Sequence, residues 1–244
     1  MKLNDNIYLL ELESMGFSNQ PIYPVVLTNE NDMILVDTGY PGQIDKIKES
    51  FKDNNLDFNK LKSIILTHQD IDHVGCVMDI VKEIPNIKIY SYEVEKDYIT
   101  GIKTPTKIES LEKVIDTLPE KTKFMYNTMK RFFDNNKINI DKTLKDKDII
   151  SEFDNVSVIY TPGHTPGHMC LYIKDINTLI AGDCLINNNN TLSTVNPSIN
   201  YDNNLYIESL KKLSNYDIEK VICYHGGLCD TNVNEQIKSL VNLN

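Results

Sequence analysis

Short apolar runs separated by polar turns fill the first third of the chain. Ile7–Leu12, Ile22–Thr28 and Met33–Val36 read as the strands of a β-meander. Asp37-Thr38-Gly39 ends the last of them, and Ile44–Phe51 carries its apolar residues at helical spacing. Leu61–Leu66 predicts a buried strand, Val74–Val81 a helix, and Ile87–Tyr90 a further strand. From about 94 to 147 the pattern changes to a Lys-, Glu- and Asp-rich helical insertion, interrupted by Gly101, Pro105 and Pro119. Within it Met125, Met129, Phe132 and Phe133 share a helix face, with Tyr126 beside them. Such a stripe either packs the insertion onto the body or walls a pocket. Strands resume at Val156–Tyr160, Met169–Ile173 and Thr178–Ala181, and the four asparagines Asn187–Asn190 predict a loop. Leu205–Leu213 reads as a helix, Val221–Tyr224 as a strand and Val233–Val241 as a closing helix. The order describes an α/β layered protein, one domain over residues 1–244, made of two β-rich halves flanked by helices.

Composition narrows the function. Apolar runs of four to seven residues fall far short of the roughly 20 that cross a bilayer. The N-terminal segment has no sustained apolar core or small-residue cleavage site, so a cytoplasmic protein is expected. Five cysteines, an odd number with no CxxC pair, suit a reducing compartment and read as small buried residues. A formal net charge of −10, with Arg131 the single arginine, opposes binding to a phosphate backbone. What remains is a small-molecule substrate, with no nucleic acid and no membrane, for a monomer or homodimer.

The histidines carry the chemistry. His68-Gln69-Asp70-Ile71-Asp72-His73 places two imidazoles and two carboxylates in six residues after a predicted strand. His164, Gly182-Asp183 and His225 each follow a further strand. Imidazole and carboxylate ligate zinc, iron or manganese. A tight turn would point His68 and Asp70 one way and Asp72 and His73 another, which suits two metals. The competing reading is a solvated loop with Asp72 capping the next helix. His168 is expected to support the site, Cys184 to pack, and Gly226 and Gly227 to allow close backbone approach beside His225.

The segment resembles the HxHxDH signature of the metallo-β-lactamase superfamily, with His164, Asp183 and His225 in the order of its remaining ligand positions and Asp37 matching an element before it. The resemblance implies a four-layer αββα sandwich. It implies one metal on His68, Asp70 and His164, a second on Asp72, His73 and His225, and Asp183 bridging both. A metal-bridging hydroxide would be the nucleophile, with Asp72 orienting it or passing a proton to the leaving group. The cofactors implied are two divalent ions, zinc first, with iron or manganese as alternatives. Asp70 departs from the usual histidine. With it, Asp70, Asp72, Asp183 and a hydroxide balance two divalent ions, where histidine would leave one positive charge. A near-neutral site of this kind is expected to be less electrophilic and more tolerant of iron or manganese.

The expected function is a dinuclear metal-dependent hydrolase of a small-molecule ester, thioester or lactone. The alternatives are an iron-dependent oxidative enzyme, sulfur dioxygenase-like, and a metal-binding module without catalysis. No lysine follows Asp183 to read an antibiotic carboxylate. No basic C-terminal region awaits glutathione as in glyoxalase II, and no basic arm awaits RNA as in ribonuclease Z.

Overall fold

The computed structural model describes residues 1–15 and 20–243. In chain order it runs β1 (Lys2–Asn4), β2 (Ile7–Leu9), β3 (Val25–Thr28), β4 (Met33–Val36), α1 (Ile44–Asp53), β5 (Ser63–Leu66), α2 (Ile71–Val74), α3 (Val77–Glu83) and β6 (Lys88–Tyr92). Helices α4 (Lys96–Ile99), α5 (Thr106–Glu112) and α6 (Glu120–Asn135) follow, then β7 (Lys142–Leu144). The second half is β8 (Ile149–Ile150), β9 (Phe153–Tyr160), β10 (Met169–Ile173), β11 (Thr178–Gly182), β12 (Ile186–Asn188), β13 (Thr191–Ser193), α7 (Asn203–Leu213), β14 (Lys220–Cys223), β15 (Gly227–Cys229) and α8 (Val233–Leu243). One sheet has the order β1-β2-β3-β4-β5-β6-β7 and the other β15-β14-β11-β10-β9-β8, with β12-β13 a separate hairpin.

Alternation along single strands generates the layers, because successive side chains point to opposite faces. Ile34 and Val36 face the core between the sheets, while Leu35 faces the helices outside. Ile65 points inward and its neighbours Ile64 and Leu66 outward. In the second sheet Met169, Leu171 and Ile173 meet the first sheet, while Cys170 and Tyr172 meet α7 and α8. These central strands are therefore apolar on both faces, and three stacked cores make four layers, αββα. Cys184 packs in the outer core of the second sheet.

Three local expectations change. The helix expected at Val74–Val81 breaks after α2, because Thr38 takes over its bonding: Thr38 N–H and Oγ1 donate to His73 O, each at 2.8 Å, and Cys76 N–H donates to Thr38 Oγ1 at 3.2 Å. The helical insertion expected to 147 stops being helical at Asn135, and β7 returns to pair in parallel with β6. Only Leu144 of β7 is buried, so a short polar edge strand hid in a charged stretch. The four-asparagine loop is a hairpin: Asn189 (φ 52°) and Asn190 (φ 62°) take the two left-handed turn positions between β12 and β13, which asparagine tolerates. On the insertion, Tyr126, Phe132, Phe133 and Met129 join the outer core of the first sheet, so that part of the stripe packs. Among the described residues no helix is long and apolar enough to cross a membrane.

Candidate metal centre

Five strand ends meet at one edge of the sandwich. β4 and β5 run parallel, so Asp37 and the Thr67–His73 segment emerge side by side. β11 and β14 are also parallel, which brings Asp183 next to His225, and the β9–β10 connection supplies His164 and His168. Met169 N–H donates to Thr67 O at 3.2 Å and ties the two sheets together there.

All seven residues expected as ligands converge in two groups. In the first, Asp70 Oδ2 lies 3.1 Å from His68 Nε2 and 3.0 Å from His164 Nε2, and Asp183 Oδ2 lies 3.5 Å from His164 Nε2. In the second, Asp72 Oδ2 lies 3.4 Å from His225 Nε2 and 3.8 Å from His73 Nε2. Asp183 joins them, with Oδ1 3.2 Å from His73 Nε2 and Oδ2 3.4 Å from His225 Nε2. A tetrahedral ion with bonds of about 2.0–2.2 Å separates its ligands by about 3.3–3.6 Å, so both groups have the spacing of a coordination shell. His68 Nε2, His73 Nε2 and Asp183 Oδ1 are buried without a hydrogen-bond partner, all aimed into the cluster. Buried polar atoms are rarely left so; the donor set fits divalent ions. Asp72 does not cap a helix, since it lies inside α2. Asp70 holds the N-cap position, yet its side chain makes no capping bond and turns into the cluster.

Neighbouring groups hold the imidazoles in the ligating tautomer. Asp37 accepts from Thr67 N–H at 2.9 Å, from Thr67 Oγ1 at 2.8 Å and from His73 Nδ1 at 2.9 Å. Because the Thr67 hydroxyl proton goes to Asp37, His68 Nδ1 donates to Thr67 Oγ1 at 3.0 Å. His164 Nδ1 donates to Asn200 Oδ1 at 3.1 Å. In each case Nδ1 makes the outward hydrogen bond and Nε2 is left to face the centre. His168 is not a ligand: Asp183 N–H donates to its Nε2 at 3.0 Å, so it fixes the backbone that carries the bridging carboxylate. Gly182 (φ +51°) permits that approach, since a Cβ there would stand 2.7 Å from His168 Nε2. Tyr224 stacks on His73 at 3.8 Å between ring centroids, and its hydroxyl donates to Asp72 O. Gly226 lets the His225 turn lie against Asn187, whose carbonyl would be 1.9 Å from a Cβ.

Electrostatics describe a nest of carboxylates that demands cationic charge. Burial opposes a charged His73, yet Asp37, Asp183 and Asp72 outweigh it and raise its pKa well above the ordinary value. Burial likewise opposes a charged His225, which Asp183 and Asp72 push up to about 10. Burial alone would raise Asp70; Lys107, His68 and His164 overcome it and hold the carboxyl well below its usual range.

Lys107, from the first turn of α5, was not anticipated. Its Nζ pairs with Asp70 Oδ2 and lies 3.3 Å from His164 Nε2. Its ammonium places beside Asp70 a positive charge that the count made from sequence leaves out. Gln69 and Glu95 hold α5 in place. Thr106 N–H donates to Gln69 Oε1 at 2.8 Å, and Gln69 Nε2 donates to Glu95 Oε2 at 3.0 Å. Glu95 also accepts from Thr165 Oγ1 at 2.7 Å and Gly167 N–H at 2.6 Å. Nothing in the charged pattern around residue 107 marks that lysine, and Asn200 lies in an irregular polar stretch. Tyr224, beside His225 at a strand end, was the readable one.

Known proteins resemble the chain in sequence and in fold. The family profile described as the metallo-beta-lactamase superfamily matches residues 19–225. The probable metallo-hydrolase YflN of Bacillus subtilis is 28% identical over 169 residues, 68% of this chain and 60% of that protein. The hydroxyacylglutathione hydrolase of Buchnera aphidicola is 29% identical over 168 residues, 66% of this chain and 49% of its own length. The chain thus spans about half to three-fifths of these relatives. Among solved structures, the metallo-beta-lactamase family protein TTHA1429 of Thermus thermophilus superposes with a TM-score of 0.78 at 19% identity, over 99% of this chain and 80% of that one, a likeness of fold.

Proposed function

The chain belongs to the metallo-β-lactamase superfamily, and from that premise we propose that it is a metal-dependent hydrolase of a small-molecule ester, thioester or lactone. The observation that carries the reading is Asp183, whose two carboxylate oxygens face both ligand groups at once. His68, Asp70 and His164 would hold one divalent ion and Asp72, His73 and His225 the other, zinc being first choice for this imidazole-rich set. When bound, the ions supply Lewis acidity and a water that ionises near neutral pH.

The chain's own groups do the rest. Asp183 sets the separation of the two positions, and Asp37 with Thr67 keeps His68 and His73 in the ligating tautomer. Asp72 is the partly open carboxylate of the cluster, its side chain 14% exposed. We assign it the proton of the attacking water and its delivery to the leaving alkoxide or thiolate. Exposed Ile199 and Tyr201, flanking the Asn200 that holds His164, offer apolar surface for an acyl group. The relative named hydroxyacylglutathione hydrolase favours the thioester within the proposed set. The iron-based oxidative alternative drew on the extra carboxylate at Asp70, a carboxylate that Lys107 pairs.

The test is turnover of a panel of acyl thioesters, aryl esters and lactones by zinc-loaded and chelator-stripped protein. Hydrolysis that disappears on stripping and returns with zinc or manganese supports the assignment. Full activity after complete metal removal would overturn it.

A further inference from the structure

Lys107 touches two of the donor atoms that the first ligand group offers to a cation. With Nδ1–H committed to Asn200, the lone pair of His164 Nε2 faces Lys107 Nζ at 3.3 Å. Asp70 Oδ2, which stands between His68 and His164, is paired with the same ammonium. This is no stray surface lysine. Thr106 and Ile108 on either side of it are buried, and Gln69, itself buried and flanked by two residues of the cluster, binds the first turn of α5. The second group differs: among the described residues no lysine or arginine pairs with Asp72, His73 or His225. One position carries a resident ammonium and the other does not.

We propose that Lys107 makes the two metal positions unequal. The Asp72–His73–His225 position fills first and tightly. A divalent ion enters the His68–Asp70–His164 position only by displacing the Lys107 ammonium from Asp70 and His164. The inference rests on the metal-centre reading above and assigns Lys107 as the residue that sets how fully the centre is loaded at a given metal concentration.

Zinc titration of the metal-stripped full chain against a competing chelator tests it. Wild type is expected to bind two equivalents in two resolved steps. Lys107→Met is expected to leave the tight step unchanged and to strengthen the weak one by about 10–100-fold, the range that charge-assisted hydrogen bonds to an ammonium represent. A second measurement needs no variant. Reductive methylation of Lys107, followed by mass spectrometry, is expected to rise with the second zinc equivalent and not with the first. A weak step that is unchanged or weakened in Lys107→Met, or methylation that ignores the second equivalent, overturns the inference and leaves the metal centre standing. Failure of the wild-type chain to bind zinc at all overturns both.

Discussion

Asp37 lies outside the ligand cluster and still governs two of its imidazoles, His73 directly and His68 through the Thr67 hydroxyl. It does so from a left-handed backbone conformation, φ 60°, that a residue with a side chain adopts at a cost of about 1–3 kcal/mol. Surrounding bonds hold it there: its own N–H donates to Ile65 O at 2.9 Å, and its carboxylate closes on the Thr67 amide. Asparagine tolerates the same backbone but cannot accept from His73 and both Thr67 donors while carrying a charge. Asp37→Asn is therefore expected to keep the fold and to weaken zinc binding by about 10–100-fold, the usual effect of losing the carboxylate behind a ligating histidine. Chelator-competition titration, with circular dichroism as the control for folding, measures this; unchanged affinity would show that Asp37 only shapes its turn.

At the scale of elements, the buried carboxylate of Glu95 helps fasten the helical insertion to the loops that carry the ligand cluster. It accepts from Gln69, Thr165 and Gly167, so the signature loop, the His164 loop and α5 all converge on it. Burial pushes its pKa up to about 7, against those three hydrogen bonds, which favour the ionised form. A carboxyl whose folded pKa lies above its unfolded value near 4.5 binds more protons when folded. Its contribution to stability is complete below pH 4.5 and is lost as pH rises toward 7, by an amount on the order of 3 kcal/mol. Glu95→Gln cannot titrate. The stability difference, wild type minus variant, is expected to fall across that window and level off above it. Urea unfolding at fixed zinc and several pH values gives the curve, and a flat difference would place the Glu95 pKa near its unperturbed value. None of this fastening was legible beforehand. The histidine-bearing strand ends stood out because each followed an apolar run, whereas Glu95, Gln69 and Lys107 sit among many ordinary surface charges and amides. Apolar periodicity located β4, β5, β10 and α1, and it missed β7 and the β12–β13 hairpin, whose few buried residues leave no period to read.

Across the whole molecule, the layered architecture followed from strands that are apolar on both faces, which only helices outside each of two stacked sheets can cover. The edge at which the cluster forms followed from where the polar segments interrupt those strands. The resemblance already implied a site at one edge between the two sheets; the structure adds which side of that seam supplies each candidate ligand. His68, Asp70, Asp72 and His73 come from the β5 end, while His164, Asp183 and His225 come from the second sheet. Like-charged Asp70, Asp72 and Asp183 converge across that seam, so an ion bound there relieves repulsion and joins both halves, and it has no counterpart in the unfolded chain. Binding confined to the native state adds about 4 kcal/mol when free ion exceeds its dissociation constant by a thousandfold. For a chain of this size that corresponds to a rise in the unfolding midpoint of roughly 8–16 °C. Calorimetry of zinc-loaded and chelator-stripped protein should show that interval, and Asp183→Asn, which removes charge from both ligand groups, should cut it to less than half. Equal midpoints with and without the ion would mean that the two sheets are held together by their shared apolar core alone.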